Sequence, residues 1–93
     1  MTVPDDVSRR VDECFAISDR PTAVTLLSDA VIHDGAAAGP RLQRCALAAS
    51  KGSLERLKYY VELLKEDYRD VIVAGEYDSI DDKPVRDLNL PFQ

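Results

Sequence analysis

Apolar residues recur at helical spacing through most of this chain. Val7, Val11, Cys14 and Phe15 fall at i, i+4, i+7 and i+8, one face of a helix that starts after Pro4 near Asp5 or Asp6. Acids in a first turn suit the positive end of the helix dipole. Ser18-Asp19-Arg20-Pro21 interrupts the pattern, and Pro21 suits the first turn of a second helix. In that helix Ala23, Val24, Leu27, Ala30 and Val31 form a stripe widened by Leu26 and Ile32. It is predicted to stop at His33-Asp34-Gly35, where glycine takes the left-handed conformation. Ala36-Ala37-Ala38-Gly39 reads as a loop. Pro40 then opens a third helix with Leu42, Cys45, Ala46, Leu47 and Ala49 inward, and its alanines leave room for a close neighbour. Lys51 falls in its last turn and Gly52 is its stop.

Residues 41–77 carry the clearest pattern. After Gly52, Ser53 is a natural N-cap. Leu54, Leu57, Val61 and Leu64 repeat at spacings of 3, 4 and 3, with Tyr60, Leu63 and Tyr68 on adjoining strips. Lys58, Glu62, Lys65 and Glu66 occupy the outer face. A kink or restart is expected near Glu66–Asp67, with Asp67 and Asp70 spaced as a capping box and Val71, Ile72 and Ala74 inward. Beyond Tyr77 the period is lost. DSIDDKPVRDLNLPFQ is acidic and proline-containing, and Leu88, Leu90 and Phe92 alternate with Asn89 and Pro91 as in an extended segment. The expected organisation is a helical bundle over residues 1–78 and a tail over 79–93, docked on it through Val85–Phe92.

Composition narrows the class. A chain of 93 residues suits one domain. At this size roughly 60–65% of the unfolded surface is buried, enough for one core. A net charge of −5 disfavours a protein whose main task is to grip phosphate backbones. There is no apolar run of the roughly 18 residues that a membrane span needs. The opening MTVPDDVSRRVDE carries acids where a secretory leader needs a basic start, so a cytoplasmic location is expected. Cys14 and Cys45 are too few for a disulfide scaffold and read as buried free thiols.

The segment ALAASKGSLERLKYYVEL is similar to the second half of an ankyrin-type unit, a small-residue helix, a glycine and a G-x-L-x-x-L helix. The T-P-L-H turn and a second copy about 33 residues away are absent, so the likeness is one of hairpin geometry. Arg41-x-Gln43, Gly52-x-Leu54-x-x-Leu57, Val61 and Asp67-Tyr68-Arg69-Asp70-Val71, closing on Ala74-Gly75-Glu76-Tyr77, resemble a group of short uncharacterised bacterial helical proteins. That resemblance implies a bacterial cytoplasmic helical protein and brings no activity with it.

Candidate chemistry is sparse. His33, the one histidine, has Asp34 beside it and Ser28 five residues away, but nothing in the sequence unites them with Cys14 as a nucleophile set. Cys14, Cys45 and His33 lack the paired spacing of a zinc site. Asp78, Asp81 and Asp82 lack the order of a calcium loop. No cofactor or metal is therefore expected, and a non-catalytic role is. Two features suggest binding. Arg41, Arg44, Lys51, Arg56 and Lys58 gather cations around the turn between the third and fourth helices. Tyr59 and Tyr60, about 100° apart on a helix, cannot both face the core, and Tyr59 joins the cations as a candidate contact residue. The expectation is an all-α protein of four or five short helices with an extended C-terminal tail. Its expected role is a protein-binding module or small regulator acting through a helical face, with a homodimer as a candidate assembly. The alternative is a nucleic-acid-linked regulator, antitoxin-like or connected with phage defence, that uses the basic cluster.

Overall fold

A computed structural model of the chain describes residues 3–32, 34–76 and 88. Among them are four helices, α1 (Asp5–Cys14), α2 (Arg20–Ser28), α3 (Gly39–Ser50) and α4 (Leu54–Glu76), and no named strand. The protein is an all-α bundle in which α3 and α4 form the main helix pair.

Helix α1 begins after Pro4 with Asp5 and Asp6 in its first turn. Val7, Val11 and Phe15 are buried, but Cys14 is exposed, correcting its placement inside. Phe15 lies past the helix in extended backbone, so it turns inward without Cys14 following. Arg20 folds back over this end. Its guanidinium donates to Phe15 O at 3.0 Å and to Asp12 O at 2.6 Å, satisfying carbonyls that a helix end leaves open.

Helix α2 stops at Ser28, several residues before His33. The expected stripe is real as far as Ala30, since Ala23, Leu27 and Ala30 are buried. Val31 instead forms an antiparallel bridge with Ala37. Ile32 N–H donates to Ala36 O at 2.9 Å and Ala38 N–H to Ala30 O at 3.0 Å. Gly35, at φ +84°, turns this loop rather than ending a helix. The β-branched pair Val31-Ile32 prefers such extended pairing to a helix end. His33 lies outside the described residues.

Helix α3 runs through the middle of the bundle. Gln43 through Leu47 are all buried, as are Ala49 and Ser50, so it is enclosed nearly all round and not along one face. It ends one residue earlier than the glycine rule suggests. Lys51 itself takes the left-handed conformation at φ 52°, and Gly52 follows at φ +79°.

Ser53 starts α4, its hydroxyl accepting from Arg56 N–H at 3.3 Å. Leu57, Val61 and Leu64 are buried at the centre, as their spacing predicts. The helix kinks at Asp67, where φ is −155° and ψ 93°. Asp67 Oδ1 accepts from Arg69 N–H at 3.1 Å and so caps the second half. Val71 is buried and Ile72 partly so, whereas Ala74 is exposed. The inward position is Gly75. A Cβ there would sit 2.6 Å from Cys45 O and 2.7 Å from Cys45 Cα, so the backbones of α3 and α4 touch at this point. Leu88 is buried against the same core. The rest of the expected clip, Val85–Asp87 and Asn89–Phe92, lies outside the described residues.

Candidate functional site

The most elaborate constellation is a buried charge cluster where α1, α3, α4 and Leu88 meet. Three sequence facts supply it. Asp6 lies in the first turn of α1. Arg41 and Arg44, three apart, share one side of α3. Glu76 is the last residue of α4.

Arg44 is only 7% exposed. Its Nε and Nη2 donate to the two Asp6 carboxylate oxygens at 2.9 and 3.1 Å. Its Nη1 donates to Leu88 O at 3.3 Å. Arg41 makes a second forked pair, with Nε and Nη2 donating to the Glu76 carboxylate at 2.8 and 2.9 Å. Glu76, 3% exposed, also accepts from the Cys45 thiol at 3.6 Å. The Leu88 carbonyl is thus held by Arg44, while its own side chain is in the core.

Burying charges costs several kcal/mol per ion unless each is paired and hydrogen-bonded. Here the pairs are two-pronged, the strongest geometry available. The Arg41 hydrogen bonds hold the Glu76 carboxyl below its ordinary value. Burial opposes them, and the Arg41 charge, the Cys45 thiol and the Leu88 amide add to the lowering. The hydrogen bond to Asp6 holds the Arg44 guanidinium above its ordinary value, again against burial. Neither site is poised for proton transfer near neutral pH.

The residues expected to form a basic contact surface are split by this arrangement. Arg44 is buried in this cluster, and Arg41 lies at its edge, paired with Glu76 and partly in solvent. Lys51, Arg56 and Lys58 remain exposed and form no ion pair among the described residues. Arg56 and Lys58, two positions apart, point about 200° apart around α4, with Tyr59 between them. Tyr59 is 61% exposed and packs edge-on against Tyr60, ring centroids 5.1 Å apart at 76°. Lys65 pairs with Glu62 at 3.3 Å, in place of the Lys58–Glu62 neighbours that spacing suggests.

Cys14 and Cys45 are both free thiols. Among the described residues no group of three or more His, Cys, Asp or Glu is placed to hold a metal ion, and no helix is long and apolar enough to cross a membrane. A groove of about 350 Å³ lies between Val3-Pro4, the end of α2 and the start of α3. Its walls are small and mostly apolar, with Gln43 among them. Gln43 Nε2 donates to Leu27 O at 2.9 Å, a bond that fastens α3 to α2, while its Oε1 is buried without a hydrogen-bond partner.

Compared with protein-family models, with curated proteins and with solved structures, the chain matches none of them.

Proposed function

We propose that the protein is a non-catalytic protein-binding module, a small regulator that works through the outer face of α4. The observation that supports this is Tyr59. A tyrosine left 61% exposed and braced against Tyr60 offers a large contact area with little rotamer entropy left to lose. Tyrosine and arginine are the residues that most often carry interface energy, and Arg56 and Lys58 flank Tyr59 without ion pairs of their own among the described residues. Val73, 54% exposed, adds an apolar contact at the far end of the helix.

The nucleic-acid reading has less support. A backbone-gripping surface needs converging cations. Arg44 is buried against Asp6, Arg41 is paired with Glu76, and Arg56 and Lys58 diverge.

Photocrosslinking tests the proposal. A photoreactive residue replacing Tyr59 should give one discrete adduct in cells, and the same residue at the exposed Asp29 should give none. The reversals Arg56→Glu and Lys58→Glu should remove the adduct. An adduct of twice the chain's mass would identify a second copy as the partner. No adduct, or equal adducts from both positions, overturns the proposal.

A further inference from the structure

We propose that the groove between Val3-Pro4, the end of α2 and the start of α3 binds a small neutral molecule that carries a carboxamide or cyclic-amide edge on a flat apolar body. None of its walls comes from α4, so this site is separate from the binding face argued above and does not depend on it.

Gln43 carries the argument. It is 8% exposed, and the two ends of its amide have opposite needs. The nitrogen donates to Leu27 O at 2.9 Å. A main-chain carbonyl only accepts, so this bond fixes which end of the amide is which. The oxygen, Oε1, is left buried with no hydrogen-bond partner. An orphaned buried acceptor is costly, and folded proteins keep few of them. The same residue forms part of the groove wall, where an entering N–H supplies the missing donor.

The groove also offers a donor of its own. Helix α3 opens at Gly39 without a side-chain cap, so its first N–H has no partner within the helix. Gly39 and Gln43 are four apart, hence on one side of α3, and both line the groove. A donor beside an acceptor matches a ligand edge with the reverse pair, which a carboxamide or lactam provides. The remaining walls select the body. Val3, Pro4, Ala30, Ala37 and Pro40 present apolar surface, and no charged side chain lines the groove. An ion would lose its hydration there with no counter-charge. The volume of about 350 Å³ is at the small end of the range for small-molecule sites. Oε1 has almost no solvent contact, so the ligand must part the wall to reach it. Val3, Pro4, Ala37 and Ala38 belong to no helix, so the groove can widen without unpacking one.

The test is an NMR titration of the ¹⁵N-labelled full-length chain with benzamide and with methyl benzoate. The two are close in size and shape, and both have a carbonyl, but only benzamide donates an N–H. Benzamide should bind saturably with a Kd in the millimolar range, as a ligand of its size allows. It should move the Gly39 amide and the Gln43 side-chain amide resonances. Methyl benzoate should bind about tenfold or more weakly, because it leaves Oε1 unpaired. Ala37→Leu, at an exposed wall position, should abolish benzamide binding by filling the groove. Equal binding of the two compounds would mean that a trapped water serves Gln43, and overturns the proposal. So does the absence of shifts at Gly39 and Gln43 with millimolar benzamide, or unchanged binding by folded Ala37→Leu. If that variant does not fold, the two compounds on the native chain decide.

Discussion

Two neighbouring backbone positions and one glycine set the tightest local constraints. At an exposed helix position, exchanging glycine for alanine stabilises by about 0.5–1 kcal/mol. At Gly75 the sign should reverse. The added Cβ would meet the Cys45 main chain at 2.6 Å, and neither helix backbone can yield without parting α3 from α4. Overpacking of this kind costs about 1–3 kcal/mol. Gly75→Ala should therefore lower the urea midpoint, and an unchanged or higher midpoint would mean that the two helices do not touch there. Lys51 is the opposite case. A side chain at φ 52° carries a cost of about 1–2 kcal/mol that glycine does not, partly offset by the extra freedom glycine has when unfolded. Lys51→Gly should raise stability by up to about 1 kcal/mol in the same assay. Gly52→Ala should lower it, because φ is +79° and the new Cβ would lie 2.9 Å from Cys14 O.

At the scale of the elements, most of the helices could be read from periodicity and caps. Leu57, Val61 and Leu64 are buried as their 3-4-3 spacing requires, and Ser53 caps α4 through its hydroxyl. The kink at Asp67 follows from a carboxylate able to cap a fresh turn. Asp67→Ala should cost about 0.5–2 kcal/mol and Asp67→Asn much less, because asparagine caps equally well. Equal losses in thermal melts would show that the charge matters and the cap does not. Periodicity failed where the chain leaves regular structure. Cys14 fits the α1 stripe by spacing, but Arg20 closes that end and leaves the thiol outside. Val31 and Ile32 fit the α2 stripe, but their backbone pairs with Ala36–Ala38. The buried cluster was the least legible feature. Arg41 and Arg44 stood out as cations, but Asp6 and Glu76 are 38 and 35 positions from their partners. Only the packing of three helices shows that Arg44 turns inward and that Arg41 reaches Glu76. One local hint was present, since α3 holds no other charged residue and, Gln43 apart, is otherwise small or apolar.

For the whole molecule, the charge cluster joins both ends of the described chain to the central helix. Stability should therefore follow the ionisation of Glu76. Its carboxyl is held below the ordinary value of 4.5 by Arg41, so the folded state binds its proton less readily than the unfolded chain does. The stabilisation is fully present above about pH 4.5 and is lost as pH falls below that through the lower folded value. Protonation would weaken the Arg41 pair, because a protonated carboxyl loses its charge and one of its acceptor oxygens becomes a donor. Glu76→Gln imitates that state at neutral pH. Breaking a fully buried pair costs about 3–5 kcal/mol, but Arg41 keeps 42% of its side chain in solvent and can rehydrate. The expected loss at pH 7 is therefore smaller, about 1–3 kcal/mol. The decisive measurement is denaturant unfolding of both proteins from pH 7 to pH 3. Their stabilities should converge as the native carboxylate protonates, because the native chain then loses what the variant never had. A gap that stays constant across this range would show that Glu76 contributes through shape alone, and that its charge does not hold the cluster together.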